Sequence, residues 1–184
     1  PLGKSKAPLA FIPYINGLTS KDFENKSKIN SLNFGGDVKV PVGNSLNLDL
    51  TLNPDFSQVE VDDQVVNLTR FEIRLPEKRQ FFIQNSDLFT NYGDSRDGRP
   101  FFSRRIGVAK DSEGNNIQNK IIAGARLSGK IDENWRIGFL HMVTDEDIKN
   151  LIPSNNNTVF SLQKKIFSRS NLSLLFINRE NTKE

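Results

Sequence analysis

Leu46-Asn47-Leu48-Asp49-Leu50-Thr51-Leu52, running straight into Asn53-Pro54-Asp55-Phe56-Ser57-Gln58-Val59-Glu60-Val61-Asp62-Asp63, is the stretch that decides the fold. Leucine at every second position, against Asn47, Asp49 and Thr51, is a period of two. Such a segment is a strand with one apolar and one polar face. A strand of a soluble sandwich normally stops at a short turn. This one feeds a block of carboxylates, arginines and phenylalanines that continues through Arg70-Phe71-Glu72 and Pro76-Glu77-Lys78-Arg79.

Outward from that strand the same period recurs. Pro8 to Gly17 sets Leu9, Phe11 and Ile15 against Ala10, Ile12 and Tyr14, with Pro13 marking an edge or a bulge. Ser31 to Val40 sets Leu32, Phe34, Val38 and Val40 against Asn33, Asp37 and Lys39, and Pro41-Val42-Gly43-Asn44 reads as a hairpin turn. Lys120 to Ile131, Trp135 to Thr144, Thr158 to Phe167 and Leu172 to Asn178 continue the alternation, while 145–151 reads as one short helical turn. Short turns at 132–134 and 168–171 alternate with longer loops at 18–30 and 144–157, the asymmetry of an up-and-down outer-membrane barrel. Most segments reach the about 9–11 residues that a tilted membrane strand needs, against about 5–6 in an average strand. Trp135 and Tyr14, near segment ends, suit aromatic girdles. The competing architecture is a soluble β-sandwich, which also alternates.

Composition removes several chemistries. The chain of 184 residues has no cysteine, which excludes thiol nucleophiles, thiolate metal sites and disulfides. A single histidine, His141, excludes a multi-histidine metal centre and is expected at a lumen or an interface. A net charge of +3 with interspersed signs, and no basic helix, argues against nucleic acid as a partner. No cofactor is expected. No apolar run approaches the roughly 20 residues of a membrane helix, which leaves a membrane barrel open. No secretory leader is visible, and the chain begins Pro1-Leu2-Gly3-Lys4 without a methionine, so it is expected to be a processed or cut piece of something longer.

Residues 54–107 fit neither strands nor a simple loop, and an ordered loop of that length is usually functional. Phe71, Phe81, Phe82, Phe89, Phe101 and Phe102 can anchor it as a compact element. Arg70, Arg74, Arg79, Arg104 and Arg105 can pair with Asp55, Glu60, Asp62, Asp63, Glu72 and Glu77 through bidentate contacts. Three readings stand: a salt-bridged plug or constriction in a polar lumen, a site for a polar solute lined by the same groups, and a catalytic carboxylate pair drawn from Asp55, Glu60 or Glu77. Whether the protein is an enzyme stays open at this point. Asp111 to Asn116 carries oxygen ligands without the EF-hand spacing and reads as a polar turn.

Four runs carry a family resemblance: Leu52 to Glu60, Val66 to Glu72, Leu75 to Ile83, and Phe101 to Gly107. Their order resembles the signature of a poorly characterised Bacteroidetes-type outer-membrane β-barrel family. Its members usually carry a family-nine-like carbohydrate-binding domain ahead of the barrel. The resemblance implies an all-β, antiparallel up-and-down barrel of outer-membrane type, of which residues 1–184 are a single partial region with 54–107 inserted. It implies the outer membrane of a Gram-negative cell as location and outer-membrane lipid as a partner. A glycan or other polar solute is the implied cargo, by passage or capture; the alternatives are a carboxylate-dependent surface hydrolase and a soluble carbohydrate-binding module. This sequence departs at Gln80, where the family usually has proline, and at Gln84-Asn85, where an acidic residue and glycine are common.

Overall fold

The computed structural model describes residues 8–22, 27–54, 77–94, 98–110, 112, 114 and 116–182. Seven strands form one antiparallel sheet: β1 (Ala10–Asp22), β2 (Ser27–Val42), β3 (Leu46–Leu52), β6 (Ile121–Lys130), β7 (Trp135–Thr144), β8 (Asn155–Phe167) and β9 (Ser170–Asn181). They lie side by side in chain order, and β4 (Val108–Lys110) and β5 (Asn116–Gln118) make a separate two-strand ribbon. β1 and β9 are the sheet's two edges among the described residues, so the sheet is all-β and antiparallel as expected, and open where a barrel would be closed. Pro13 sits on the edge strand β1, where a missing donor is tolerated.

Connections alternate in length along the two ends of the sheet. Residues 43–45, 131–134 and 168–169 are tight links at one end. The tight turns are locally encoded: Gly43 takes φ 63, and the Asp132 carboxylate accepts the backbone N–H of Asn134 and Trp135 at 2.7 and 2.8 Å. Residues 53–120 and 145–154 are the long connections at the other end. Three expectations need correction. The polar stretch 18–30 is mostly strand, because Thr19, Ser20 and Lys21 pair with Asn30, Ile29 and Lys28 and cross-strand pairing outweighs their polar composition. Residues 145–151 form no helix; Asp147 bridges Ile152 and its carboxylate holds Asn150, closing a turn instead. Tyr14 lies mid-strand on the polar face, with its hydroxyl donating to the Asn53 carbonyl at 2.9 Å, so it belongs to no girdle.

Register fixes the two faces. Lys39, Asp49, Arg126, Leu140, Val159 and Ile177 stand in one row, and Val38, Leu50, Ala125, His141, Thr158 and Asn178 in the adjacent row on the opposite face. Over its central strands the first face is covered by the folded segment 77–106, with the described core between them, while Ile12 on β1 and Ile177 on β9 stay exposed. The second face is bare: Phe11 is 68 % exposed, Leu52 65 % and Leu174 58 %. A sandwich would bury that face under a second sheet, and the described residues hold only the β4–β5 ribbon besides.

The bare apolar belt crosses the strands obliquely. On β9 it ends at Phe176, followed by Asn178 and Glu180; on β8 it ends at Phe160, followed by Thr158 and Asn156. The row of Phe176 and Phe160 continues through Phe139, Leu127 and Leu48 to Val40. There the belt climbs on along β2 through Val38 and Phe34 to Leu32.

The chain leaves the sheet at Asn53. Its backbone takes φ 46, a conformation that asparagine tolerates better than most residues. Its N–H donates to the Ile122 carbonyl at 2.7 Å, and its side-chain amide donates to the Phe34 carbonyl. Gly35 makes the room, since a Cβ there would strike the Tyr14 ring and the Asn53 carbonyl. Gly35→Val is therefore expected to destabilise the fold by about 1–3 kcal/mol through overpacking, whereas Asn53→Gly, which keeps the backbone conformation, is expected to cost well under half of that. Urea unfolding followed by far-UV circular dichroism measures both.

Candidate functional site: the segment seated on the polar face

Residues 77–106 fold upon themselves around Arg79. The Glu77 carboxylate receives Arg79 Nε and Nη2 at 2.8 Å each, a bidentate pair. Arg79 also donates to the carbonyls of Ile106 and Ser103 at 2.7 Å, and its guanidinium lies 4.2 Å from the centre of the Phe82 ring. Ser103 Oγ donates to Glu77 Oε2 at 2.5 Å. One buried cation thus ties the start of the segment to its end.

Burial alone would raise the Glu77 carboxyl. The hydrogen bonds and charge of Arg79, with the Ser103 hydroxyl, outweigh it and hold Glu77 below the usual carboxylate range. A group so held is an ion-pair partner, poorly suited to give up a proton as a general acid near neutrality.

Two one-turn helices, α1 (Gln80–Ile83) and α2 (Asp87–Thr90), present Phe81, Leu88 and Phe89 to the sheet. They meet Leu140, Met142 and Val159, an apolar seat on a face otherwise lined by Arg126, Ser128, Asn155 and Ser161. Gly138 shapes the seat: a Cβ there would stand 2.8 Å from the Phe89 ring.

Polar fasteners surround the seat. Arg126, 1 % exposed, bonds Asp49 Oδ2 through Nη2 at 2.6 Å and Nε at 3.2 Å, and donates Nη1 to the Gln84 carbonyl at 2.9 Å. Lys39 Nζ stands 3.4 Å from the other Asp49 oxygen. Asn85 Nδ2 donates to Ser128 Oγ at 3.1 Å, Arg136 pairs with Asp87 at 2.6 Å, and the Tyr92 hydroxyl meets Ser161 Oγ at 2.8 Å. Between segment and wall remains a cleft of about 480 Å³, lined by Phe82, Phe89, Phe101, Arg99, Ser86 and Thr90 among others.

Gln80 is the first residue of α1, where proline's fixed φ would serve equally. Asn85 takes φ 50, which glycine adopts freely, and its side chain adds the bond to Ser128.

Of the residues expected to form a site, Glu77 and Arg79 are brought together. Arg104 is half-buried, with burial lowering its pKa, and Arg105 is exposed in the 3-10 turn Ser103–Arg105. Asp55, Glu60, Asp62, Asp63, Arg70, Glu72 and Arg74 lie outside the described residues. Asp49, Arg126, Asp87, Arg136 and Tyr92 were missed. Leu140 and Met142, apolar on the face that carries Arg136 and Arg126, were the available signal. His141 stands on the apolar face, with Nδ1 and Thr158 Oγ1 at 2.9 Å.

The family model described as Domain of unknown function (DUF5916) matches residues 6–181. No curated protein and no solved structure matches the chain.

Removing one member of a buried ion pair costs about 3–5 kcal/mol, whereas replacing both by apolar groups costs far less. Arg126→Met is expected to lose about 3 kcal/mol, and Arg126→Met with Asp49→Leu to recover most of it, as a double-mutant cycle in urea would show. For Glu77 the folded pKa lies below the unfolded one, so its contribution is complete above the ordinary carboxylate range and fades as pH falls through the lowered value. The stability difference between wild type and Glu77→Gln is therefore expected to be largest at neutral pH and to shrink below about pH 4, read from melting temperatures across pH.

Proposed function

The chain belongs to the DUF5916 family, and from that premise and the geometry above we propose that it forms part of the wall of an outer-membrane β-barrel. Its bare face meets lipid, and its folded segment constricts a polar lumen through which a polar solute passes or in which one is captured. The observation that carries the reading is the pairing of two opposite faces on one sheet: an exposed apolar belt outside and a buried polar face under residues 77–106 inside. Soluble monomers rarely expose contiguous apolar patches beyond a few hundred Å².

The obliqueness of the belt supports the same reading. From the row of Phe176 and Val40, Leu32 lies eight residues further along β2, roughly 26 Å, across five strand spacings of roughly 24 Å in all. The belt's margin thus slopes at about 45°. Taken instead to Ile15 on β1, six residues up and six spacings across, the slope is about 35°. Membrane barrels tilt their strands by roughly 35–45°, so a belt that lies level in a bilayer has to cross such strands at that angle.

Trp135 stands at the short-turn end of the apolar face with Lys164 Nζ 4.9 Å from its ring centre, an arrangement suited to a headgroup level. Short turns on one side and long connections on the other match the periplasmic and external ends of such barrels. The family resemblance of the four signature runs adds the Gram-negative cell surface and a glycan-derived solute as the favoured cargo. The Arg99-bearing aromatic cleft beside the segment is where a polar solute would be held.

Deleting 57–105 from the full-length protein is expected to raise single-channel conductance in planar bilayers several-fold, and Arg126→Met to raise the frequency of open events. Conductance unchanged by the deletion would remove the constriction, and recovery of the full-length protein as a soluble monomer without detergent would remove the wall.

A further inference from the structure

The apolar face is not flat. Gly36, Ala123 and Ala125 form a shallow floor between Phe11 and Phe34 on one side and His141 and Val143 on the other, giving a groove of about 700 Å³. Its lining is apolar almost throughout, and its polar end is His141. That ring is half-buried and bonded at Nδ1 to Thr158, and its second nitrogen has no hydrogen bond among the described residues. Thr158 and Asn178 continue the His141 row on the same face, where the belt ends on β8 and β9.

Resting on the lipid-facing reading, we infer that this groove is a specific site for one acyl chain of a lipid with a phosphate headgroup, the phosphate lying at His141 and Thr158. Three features fix the occupant as an amphiphile of that size. The groove runs across the strands from β7 to β1, four spacings or roughly 19 Å. Because the belt is level only when the strands tilt by about 40°, a path across them descends through roughly 12–13 Å of depth. One leaflet of the hydrocarbon core is about 15 Å thick. The polar end lies at the belt's margin on β8, where a headgroup sits, and the apolar remainder leads down toward Phe11. A hydrogen-bonding imidazole within an apolar face is costly unless it has partners. Thr158 supplies one and a phosphate oxygen supplies the other.

The test reconstitutes the full-length protein into palmitoyl-oleoyl-phosphatidylglycerol vesicles, re-extracts it in maltoside, and counts retained phospholipid by mass spectrometry. About one phospholipid per chain is expected for wild type and for Leu174→Ala, which thins the belt outside the groove. At least threefold less is expected for Ala125→Trp, which fills the groove, and for His141→Ala and Thr158→Val, which remove the headgroup contacts without adding bulk. Quenching of Trp135, the chain's one tryptophan, by brominated phospholipid in the wild-type vesicles reports separately on the wall. Equal retention in all variants with Trp135 quenched overturns the groove site and leaves the lipid-facing wall standing. Trp135 unquenched overturns both.

Discussion

A strand that alternates apolar and polar residues must satisfy two surroundings at once, and seven such strands in register multiply that demand over a whole sheet. Everything else in this structure answers it. One face carries Asp49, Thr51, Arg126, Ser128, Asn155 and Ser161, which a bare hydrocarbon contact could not accommodate. The other carries the leucines of β3, with Phe34, Phe139, Phe160 and Phe176 beside them. The chain covers the middle of the first face itself, by leaving the sheet at Asn53 and folding 77–106 against it. It leaves the second to its surroundings.

The buried Arg126–Asp49 pair shows how the polar face is held. A buried ion pair is weak evidence for stability, since desolvation offsets most of the attraction. Its third bond, from Arg126 to the Gln84 carbonyl, is what gives it a role: the wall and the segment share one cation. The Phe81 ring lies 5.3 Å from that guanidinium and shields it. Replacing Arg126 therefore affects both wall and segment, whereas replacing Arg79 affects the segment's own fold through the Glu77–Ser103 cluster.

Much of the sheet was legible in sequence because period two is a strong signal. The faces of β2, β3, β6 and β7 follow directly from it, and Asn47, Asp49 and Thr51 share one polar face, as their spacing indicates. The loop at 18–30 misled because polar residues in a hairpin pair as well as apolar ones when their partners are in register. The pairing of Glu77 with Arg79 could be anticipated from charge and proximity. The seat could not, because Asp49 and Arg126 are 77 residues apart and meet only once β3 and β6 lie side by side. The phase of His141 was legible, since it shares its parity in β7 with Ile137 and Phe139, and only the partner Thr158 across the strand shows how its polarity is met there.

Whether the alternation separates lipid from a covered polar face is directly measurable, because the chain has no cysteine. Single cysteines at 47–51 and 124–128, spin-labelled in the full-length protein in vesicles, would report collision with oxygen and with a water-soluble nickel chelate. The expected result is a period of two: high oxygen and low nickel contact at Leu48, Leu50, Ala125 and Leu127, and low contact with both at Thr51 and Ser128. Nickel contact at Leu48 and Leu127 equal to that at the exposed turn residue Asn44 would contradict it.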